Sequence, residues 1–285
     1  MPKQKNIRGE RNFHLTTLLS FDVGIRNLSF CVLRQMFPED IIDLIDDNQV
    51  DEVRETEKEI SLYSSISLQN WGCIDIPKEN NSNVRNVNTL PIDTLVRYTI
   101  RSLDDRFRQQ IQKIMSEDQK IRILIENQPN RSLRMNVVSY TIVSYFETLF
   151  TLGKNEGDIS CAKKRNMKIE MVSAKKKLIL CDQMSICKKN PNYKPRKKKN
   201  HDSFDDNLNS LDGKKKSNPK KKITKKKKNQ EEYRNNKWRA VEGCKKLLDE
   251  VCVNEEMKNL FYKSKKKDDL SDSFLQGIYV LSNSS

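Results

Sequence analysis

The sequence predicts an α/β protein with a mixed sheet of five strands flanked by helices. Two observations predict it. Three strand-like segments, rich in apolar and β-branched residues, lie between residues 16 and 76. After residue 90, segments with helical spacing alternate with short apolar strands. Three strands that can pair antiparallel, followed by alternating helices and strands, produce a mixed sheet with helices on its faces.

The first strands form a predicted hairpin. Residues 16–34 contain two apolar runs separated by Asp-Val-Gly-Ile-Arg-Asn, which places Asp22 at the mouth of the hairpin. The third strand is predicted in SLQNWGCIDI, residues 67–76. Before it, residues 37–60 carry ten Asp or Glu against two basic residues, so we expect an exposed acidic insertion over 37–62.

The later elements are predicted from apolar spacing and from turn and cap residues. Pro91 suits a helix start, Glu126 ends the apolar run IRILI, Pro129 stops that strand, and Ser173 is a suitable helix cap. These features predict helix 91–115, strand 121–125, helix 132–150, strand 167–172, a helix from 174, a helix from 231 and a last helix within 265–282.

Most of the positive charge lies in one segment. The formal net charge is +15, and residues 188–228 contain 17 Lys or Arg against 4 Asp, which is +13. Such a segment has too few apolar residues to bury, so we expect residues 186–230 to be a Lys-rich insertion that is disordered without a ligand. Residues 1–15 are expected to form a flexible tail, and residues 16–285 a single domain.

Several protein classes are disfavoured by composition. The chain has no run of 18 apolar residues and no apolar segment near its N-terminus, so we expect a soluble, intracellular protein that is not secreted. The seven cysteines include no CxxC pair, and only His14 and His201 could add imidazole ligands. This spacing disfavours a structural zinc site.

Four acids stand where a metal site could form. Asp22 lies at the hairpin, Glu126 ends a strand, and Asp269 and Asp272 are one turn apart on the last helix. Each acid alone is an ordinary cap or surface charge. Together they match the three or four carboxylates that hold two divalent cations for phosphodiester hydrolysis, Mg²⁺ with Mn²⁺ as substitute. Asp268 is a neighbouring acid that could replace Asp269.

Three motifs then give a resemblance. SFDVGIRNLSFCVL, IENQPNRSLRMNVVSYTIVSYF and KKDDLSDSFLQG resemble, in order and context, the motifs of RuvC-like Holliday junction resolvases, in the branch found in poxviruses, other large DNA viruses and fungal mitochondria. The resemblance implies an RNase H-like fold. It also implies that Asp22 coordinates both metal ions, that Glu126 is a second ligand, and that Asp269 and Asp272 complete the site.

The same resemblance implies an activity in DNA recombination and repair. A homodimer would cut two symmetry-related strands of a four-way junction and leave 5′-phosphate and 3′-hydroxyl ends. The helix at 132–150 has an apolar arc wider than one buried stripe needs, which fits a dimer surface; burial within one subunit is the alternative. If the protein is viral, we expect it at the site of viral DNA replication, in the cytoplasm or nucleus.

Basic residues near the predicted metal edge are candidates for DNA contact: Arg131, Arg134, Lys175, Lys176 and Lys177. The Lys-rich insertion could neutralise several phosphates, which would make DNA binding steeply dependent on salt. Its composition also fits a nuclear-import signal or a simple Lys/Asn bias of the genome.

Three rival functions follow from the same residues. An actin-like ATPase would need a second Asp-x-Gly loop, which a chain with 8 glycines and no such loop lacks. Another nuclease of the same fold, acting on other branched DNA or on RNA–DNA hybrids, would carry the same acids. A catalytically silent DNA-binding protein would have no need to retain all four.

Overall fold

A computed structural model describes residues 16–35, 63–84, 86–116, 120–128, 132–152, 167–191 and 219–283. The predicted N-terminal tail and the acidic insertion lie outside these residues. So does most of the Lys-rich insertion, residues 192–218.

The sheet has six strands in the order β5-β4-β1-β2-β3-β6. β2 is antiparallel to β1 and β3, whereas β4 pairs parallel to β1, β5 to β4 and β6 to β3. The strands are β1 Thr16–Val23, β2 Asn27–Gln35, β3 Ile66–Asp75, β4 Lys120–Asn127, β5 Met167–Ser173 and β6 Cys252–Val253. This confirms the predicted RNase H-like fold class and its five strands. The sixth strand was not predicted, because two residues show no periodicity.

The described residues also form α-helices and one 3₁₀ turn, Val87–Thr89. The α-helices are α1 Ile76–Glu79, α2 Ile92–Ser116, α3 Leu133–Leu152, α4 Lys175–Gln183, α5 Pro219–Leu248, α6 Glu255–Lys263 and α7 Lys267–Ser282. The short helices α1 and α6 were not predicted. The cap of α4 is Ala174 rather than Ser173, although Ser173 Oγ accepts from Lys175 N at 3.4 Å. No helix in the described part of the chain has both the length and the apolarity to cross a membrane.

Helices cover both faces of the sheet. Alternate residues of β1 point to opposite faces: Leu18 packs with α4 to α7, and Leu19 and Phe21 pack with α2 and α3. β1 is therefore buried on both sides, which explains its continuous apolar run. The face under α2 and α3 contains an aromatic group in which Phe21 meets Phe107 at 5.5 Å and Phe146 at 5.7 Å.

Helix α5 begins at Pro219, twelve residues before the predicted start at 231. Residues 219–230 were expected to belong to the disordered insertion, and the structure differs there. Proline suits the first helical position, and lysine, glutamine and glutamate are good helix formers. The prediction used apolar spacing, which this polar half of the helix lacks. At the other end of the insertion, the Asn190 backbone N–H donates to Asn235 Oδ1 at 3.3 Å and attaches residues 186–191 to α5.

Candidate active site

Two of the predicted acids meet at the carboxyl ends of neighbouring parallel strands. Phe21 and Ile125 are register partners in β1 and β4, so the next residues, Asp22 and Glu126, lie side by side. Their carboxyl groups are hydrogen-bonded to each other. The sequence placed each of these acids at a strand end, and the parallel pairing of β1 and β4 brings the two ends to the same edge of the sheet.

A third acid and a lysine complete the group. Helix α7 packs on β1 and β2 and brings in Asp272, and α4 brings in Lys177. Lys177 Nζ lies 2.6 Å from Asp272 Oδ2 and 3.4 Å from Glu126 Oε1, and all three side chains are mostly buried. We call Asp22, Glu126, Asp272 and Lys177 the acid cluster.

The acid cluster has an unequal distribution of protons. Burial, together with the hydrogen bond and negative charge of Glu126, raises the pKa of Asp22 well above its usual value. Burial would also raise the pKa of Glu126, but its hydrogen bond from Asp22 and the charge of Lys177 hold it below its usual value. Of the two acids, Asp22 is therefore the one that holds a proton more tightly. An acid pair of this kind indicates a site that needs another cation to be fully ionised.

The charges of Asp272 and Lys177 depend on each other. Burial raises the pKa of Asp272 to about 6, with Glu126 adding to the shift and Lys177 opposing it. Burial alone would lower the pKa of Lys177, but Asp272, Glu126 and Asp22 raise it. Lys177 thus remains protonated and acts as the internal counter-charge of the acids.

Two buried polar side chains that the sequence analysis missed support the cluster. Gln128 Nε2 lies 3.4 Å from Glu126 Oε2, in position to donate to it. The Ser29 hydroxyl donates to the backbone carbonyl of Asp269 at 2.7 Å and lies 3.4 Å from Asp22 Oδ2. The available signal was a polar residue inside an apolar strand, Ser29, and one just after a strand-end acid, Gln128.

The neighbouring acids of α7 have different surroundings. Asp268 forms an ion pair with Lys237, which holds the pKa of Asp268 below its usual value although burial would raise it. The carboxylate of Asp269 pairs with Lys266 at 3.5 Å and does not join the acid cluster through any described contact. Asp269 nevertheless lies one helical turn before Asp272. Its backbone carbonyl accepts the hydrogen bond from Ser29, which is next to Asp22. Asp22, Glu126 and Asp272 are thus brought together, with Asp269 at their border.

The donor set fits a hard divalent cation in chemistry and charge. The carboxylates of Glu126 and Asp272 hold the Lys177 ammonium between them, with Asp22 beside Glu126, so this position already binds a cation. As the side chains lie, the described residues contain no group of three Asp, Glu, His or Cys placed to ligate a single metal ion. Lys177 Nζ is within ion-pair distance of both Glu126 and Asp272.

The basic residues predicted to contact DNA have several environments. Arg131 lies outside the described residues. The Arg134 guanidinium donates to the Leu90 carbonyl at 2.7 Å, so it ties α3 to the turn before α2. Lys175 is exposed at the start of α4, and Lys176 Nζ lies 5.5 Å from the centre of the Tyr279 ring. Lys177 belongs to the acid cluster.

The strand order and the acids at the carboxyl ends of β1 and β4 define an RNase H-like protein with an acidic centre. The family model "Mitochondrial resolvase Ydc2 / RNA splicing MRS1", for a catalytic domain, matches residues 18–285. This chain belongs to that family, in agreement with the predicted resemblance to resolvases.

Among solved structures, the complex of Fowlpox virus resolvase with substrate Holliday junction DNA is 13% identical, with a TM-score of 0.37, over 93% of this chain and 96% of that chain. No curated protein matches the chain in sequence.

Proposed function

We propose that this protein is a metal-dependent endonuclease that resolves four-way DNA junctions. The acid cluster is the observation that supports this most. Burying three acidic side chains together costs free energy. A protein that only binds nucleic acid would gain nothing from that cost. The family description also names an RNA-splicing protein, and the retained acids favour the nuclease over a silent binding protein.

The metal site would comprise Asp22, Glu126, Asp269 and Asp272. Asp22 is central because it touches Glu126 and is near Asp272. Asp269 is preferred to Asp268, because the carboxylate of Asp268 is already paired with Lys237. Two Mg²⁺ ions held there would activate a water molecule and stabilise the charge that develops on the leaving oxygen.

Lys177 has two roles in this proposal. Without divalent cations it neutralises Glu126 and Asp272 and keeps them close together. Were divalent cations to neutralise the acids instead, the Lys177 ammonium group would be free to contact the phosphate being cut. Ser29 and Gln128 act through the ligands, since each contacts an acid or the backbone next to one.

Paired, symmetric nicks require two copies of the active site. We propose a homodimer formed through α3, because Leu133 and Tyr140 are 67% and 66% exposed on that helix. The two residues are seven positions apart and therefore lie on the same side of the helix. The other side is buried against the sheet, with Val138, Ile142 and Phe146 in the core.

The alternative within the same chemistry is a nuclease for other branched DNA or for RNA–DNA hybrids. The acids would be identical, so the substrate must be tested directly. Cleavage of a synthetic four-way junction, a flap, a duplex and an RNA–DNA hybrid should be compared under Mg²⁺. We expect paired nicks in the junction, and a preference for the flap or hybrid would support the alternative.

The site is tested by Asp22→Asn, with Asp268→Asn as a matched control on the same edge. We expect Asp22→Asn to abolish Mg²⁺-dependent cleavage of the junction while leaving binding largely intact. Asp268→Asn should still cut, because its carboxylate is paired with Lys237. Asp269→Asn should lose most activity. Cleavage by Asp22→Asn at the wild-type rate would show that the site is wrongly assigned.

A further inference from the structure

A basic, partly aromatic surface lies beside the acid cluster, between α6 and α7. It consists of Tyr262, Lys263, Lys265 and Lys266, and we call it the α6–α7 surface. All four side chains are exposed. Lys266 shows how close this surface is to the acid cluster, because its Nζ lies 3.5 Å from Oδ2 of Asp269, at the border of the cluster. A polymer bound on this surface would therefore pass directly by the active site.

Two of its positive charges have no acidic partner within the described part of the chain. Lys263 and Lys265 have no ion-pair partner among the residues that the structure describes. Nearby Lys258 differs, because its Nζ lies 3.7 Å from Glu255 Oε1. Unpaired ammonium groups next to a centre that acts on phosphate are suited to bind phosphates of the same chain.

Tyr262 packs against a buried ring although its own side chain is half exposed, at 50%. Its ring meets the Phe261 ring edge to face, with centres 5.5 Å apart. Phe261 is fully buried and stacks on Trp71 at 5.2 Å with an angle of 7°. The Trp71 indole N–H donates to the Leu270 carbonyl of α7 at 3.1 Å. A flat, half-exposed ring that rests on the core can stack on a base, and a tyrosine side chain loses little conformational freedom in doing so.

We propose that the α6–α7 surface binds the DNA strand that enters the active site at the branch point. Lys263 and Lys265 contact phosphates, and Tyr262 stacks on a base that is unpaired at the branch. In duplex arms both faces of a base are covered by its neighbours, so Tyr262 would distinguish branched from continuous DNA. This proposal rests on the proposed function and names the residues that select its substrate.

The test uses the full chain carrying Asp22→Asn, so that binding is measured without cleavage. Affinity for a synthetic four-way junction and for a duplex of the same sequence is measured at several salt concentrations. Tyr262→Leu removes the flat ring but keeps an apolar side chain, and Tyr262→Phe keeps both. Lys263→Gln with Lys265→Gln removes two charges, and Arg97→Gln with Arg101→Gln is the charge-matched control on α2, which covers the opposite face of the sheet.

We expect Tyr262→Leu to weaken junction binding about tenfold while duplex binding stays the same. Tyr262→Phe should bind like the parent. The lysine pair should lower the slope of log affinity against log salt by about 2 on both DNAs, and the arginine pair should leave it unchanged. Wild-type thermal stability of each variant shows that folding is intact.

Other results overturn the proposal. Unchanged junction affinity in Tyr262→Leu, or an equal loss on duplex, rejects the stacking role. A change of oligomeric state in Tyr262→Leu with unchanged DNA affinity would assign the surface to contact between copies of the chain. The proposed function fails separately, namely if the wild-type protein neither binds nor cuts the junction in preference to duplex.

Discussion

Asp22 and its neighbours show how a single residue can cost stability and supply chemistry. A carboxyl group whose pKa is raised by burial and by nearby acids must keep a proton that it would lose in the unfolded chain. Holding that proton at neutral pH is unfavourable for folding. A divalent cation would remove this penalty. The free energy that the metal-free protein loses in this way would therefore contribute to its affinity for the cation.

This cost can be measured with Asp22→Asn in the presence of EDTA. The folded state binds the Asp22 proton more tightly than the unfolded state, whose pKa is near 3.8. The contribution of Asp22 to wild-type stability should therefore fall as pH rises above about 4, and should level off once pH passes the raised pKa of the folded state. We expect Asp22→Asn to be more stable at pH 8, by about 1.4 kcal/mol for each unit of pKa difference.

Urea unfolding between pH 4 and pH 8 checks this prediction. Asp268→Asn is the control with the opposite sign, because the pKa of Asp268 is lowered. Its ionised form stabilises the fold at pH 8, so Asp268→Asn should be the less stable protein there. Equal stability of wild type and Asp22→Asn at every pH would contradict the electrostatic description of the acid cluster.

We predict that a divalent cation can replace the stabilising charge of Lys177 but cannot replace Lys177 in DNA cleavage. Lys177→Met leaves Glu126 and Asp272 buried without their counter-charge, which should destabilise the metal-free protein by roughly 3 kcal/mol at pH 8. The loss should shrink near pH 5, where Asp272 becomes protonated because its pKa is about 6.

Thermal unfolding with EDTA and with Mg²⁺ measures both parts of the Lys177 prediction. Mg²⁺ should raise the melting temperature of Lys177→Met more than that of wild type, while junction cleavage stays low. Identical melting temperatures for the two proteins in EDTA at pH 8 would show that Lys177 does not neutralise the acids.

At the scale of elements, the site depends on how α7 is attached to the sheet. Three side chains of the sheet donate to backbone carbonyls of this helix. The Ser29 hydroxyl donates to Asp269, the Trp71 indole to Leu270 and the Cys31 thiol to Ser273, at 2.7, 3.1 and 3.2 Å. These bonds set the rotation of the helix, and therefore the direction in which Asp269 and Asp272 point.

Ser29→Ala tests this attachment. Removing the hydroxyl should cost about 1 kcal/mol of stability. Because the carbonyl it binds belongs to a proposed ligand, the Mg²⁺ concentration for half-maximal cleavage should rise about tenfold. Ser20→Ala is the matched control, since Ser20 is also buried but its Oγ has no hydrogen-bond partner among the described residues. An equal effect of the two substitutions would show that Ser29 contributes only to packing and does not position α7.

The sequence predicted the elements that have a periodic apolar pattern and the acids at their ends. Asp22 and Glu126 could be placed because strand ends are legible, and parallel pairing puts them together. The acids of α7 were predicted as a set, but the difference between Asp268 and Asp269 depends on Lys237, a residue on another helix. Lys177 was predicted to contact DNA, because nothing local shows that it lies between two distant acids. Such contacts arise only from packing.

At the scale of the whole molecule, symmetric cutting requires two active sites at a fixed separation. A face of α3 with two exposed apolar side chains costs solubility in a monomer, and covering it with a second copy removes that cost. A two-fold dimer would place the same residues of both copies in contact. The spacing of the two sites would then be set by the rigid pair of helices rather than by DNA.

The dimer is tested by Leu133→Lys with Tyr140→Lys, which places charges on this face. We expect sedimentation to show a dimer for wild type and a monomer for the double variant, because unpaired ammonium groups are costly to bury at an interface. Ile92→Lys on α2, where the isoleucine is also exposed, is the control and should leave the dimer intact. With a supercoiled plasmid that extrudes a junction, the monomer should give single nicks where the dimer gives linear product. A double variant that remains a dimer and makes paired nicks would place the interface elsewhere.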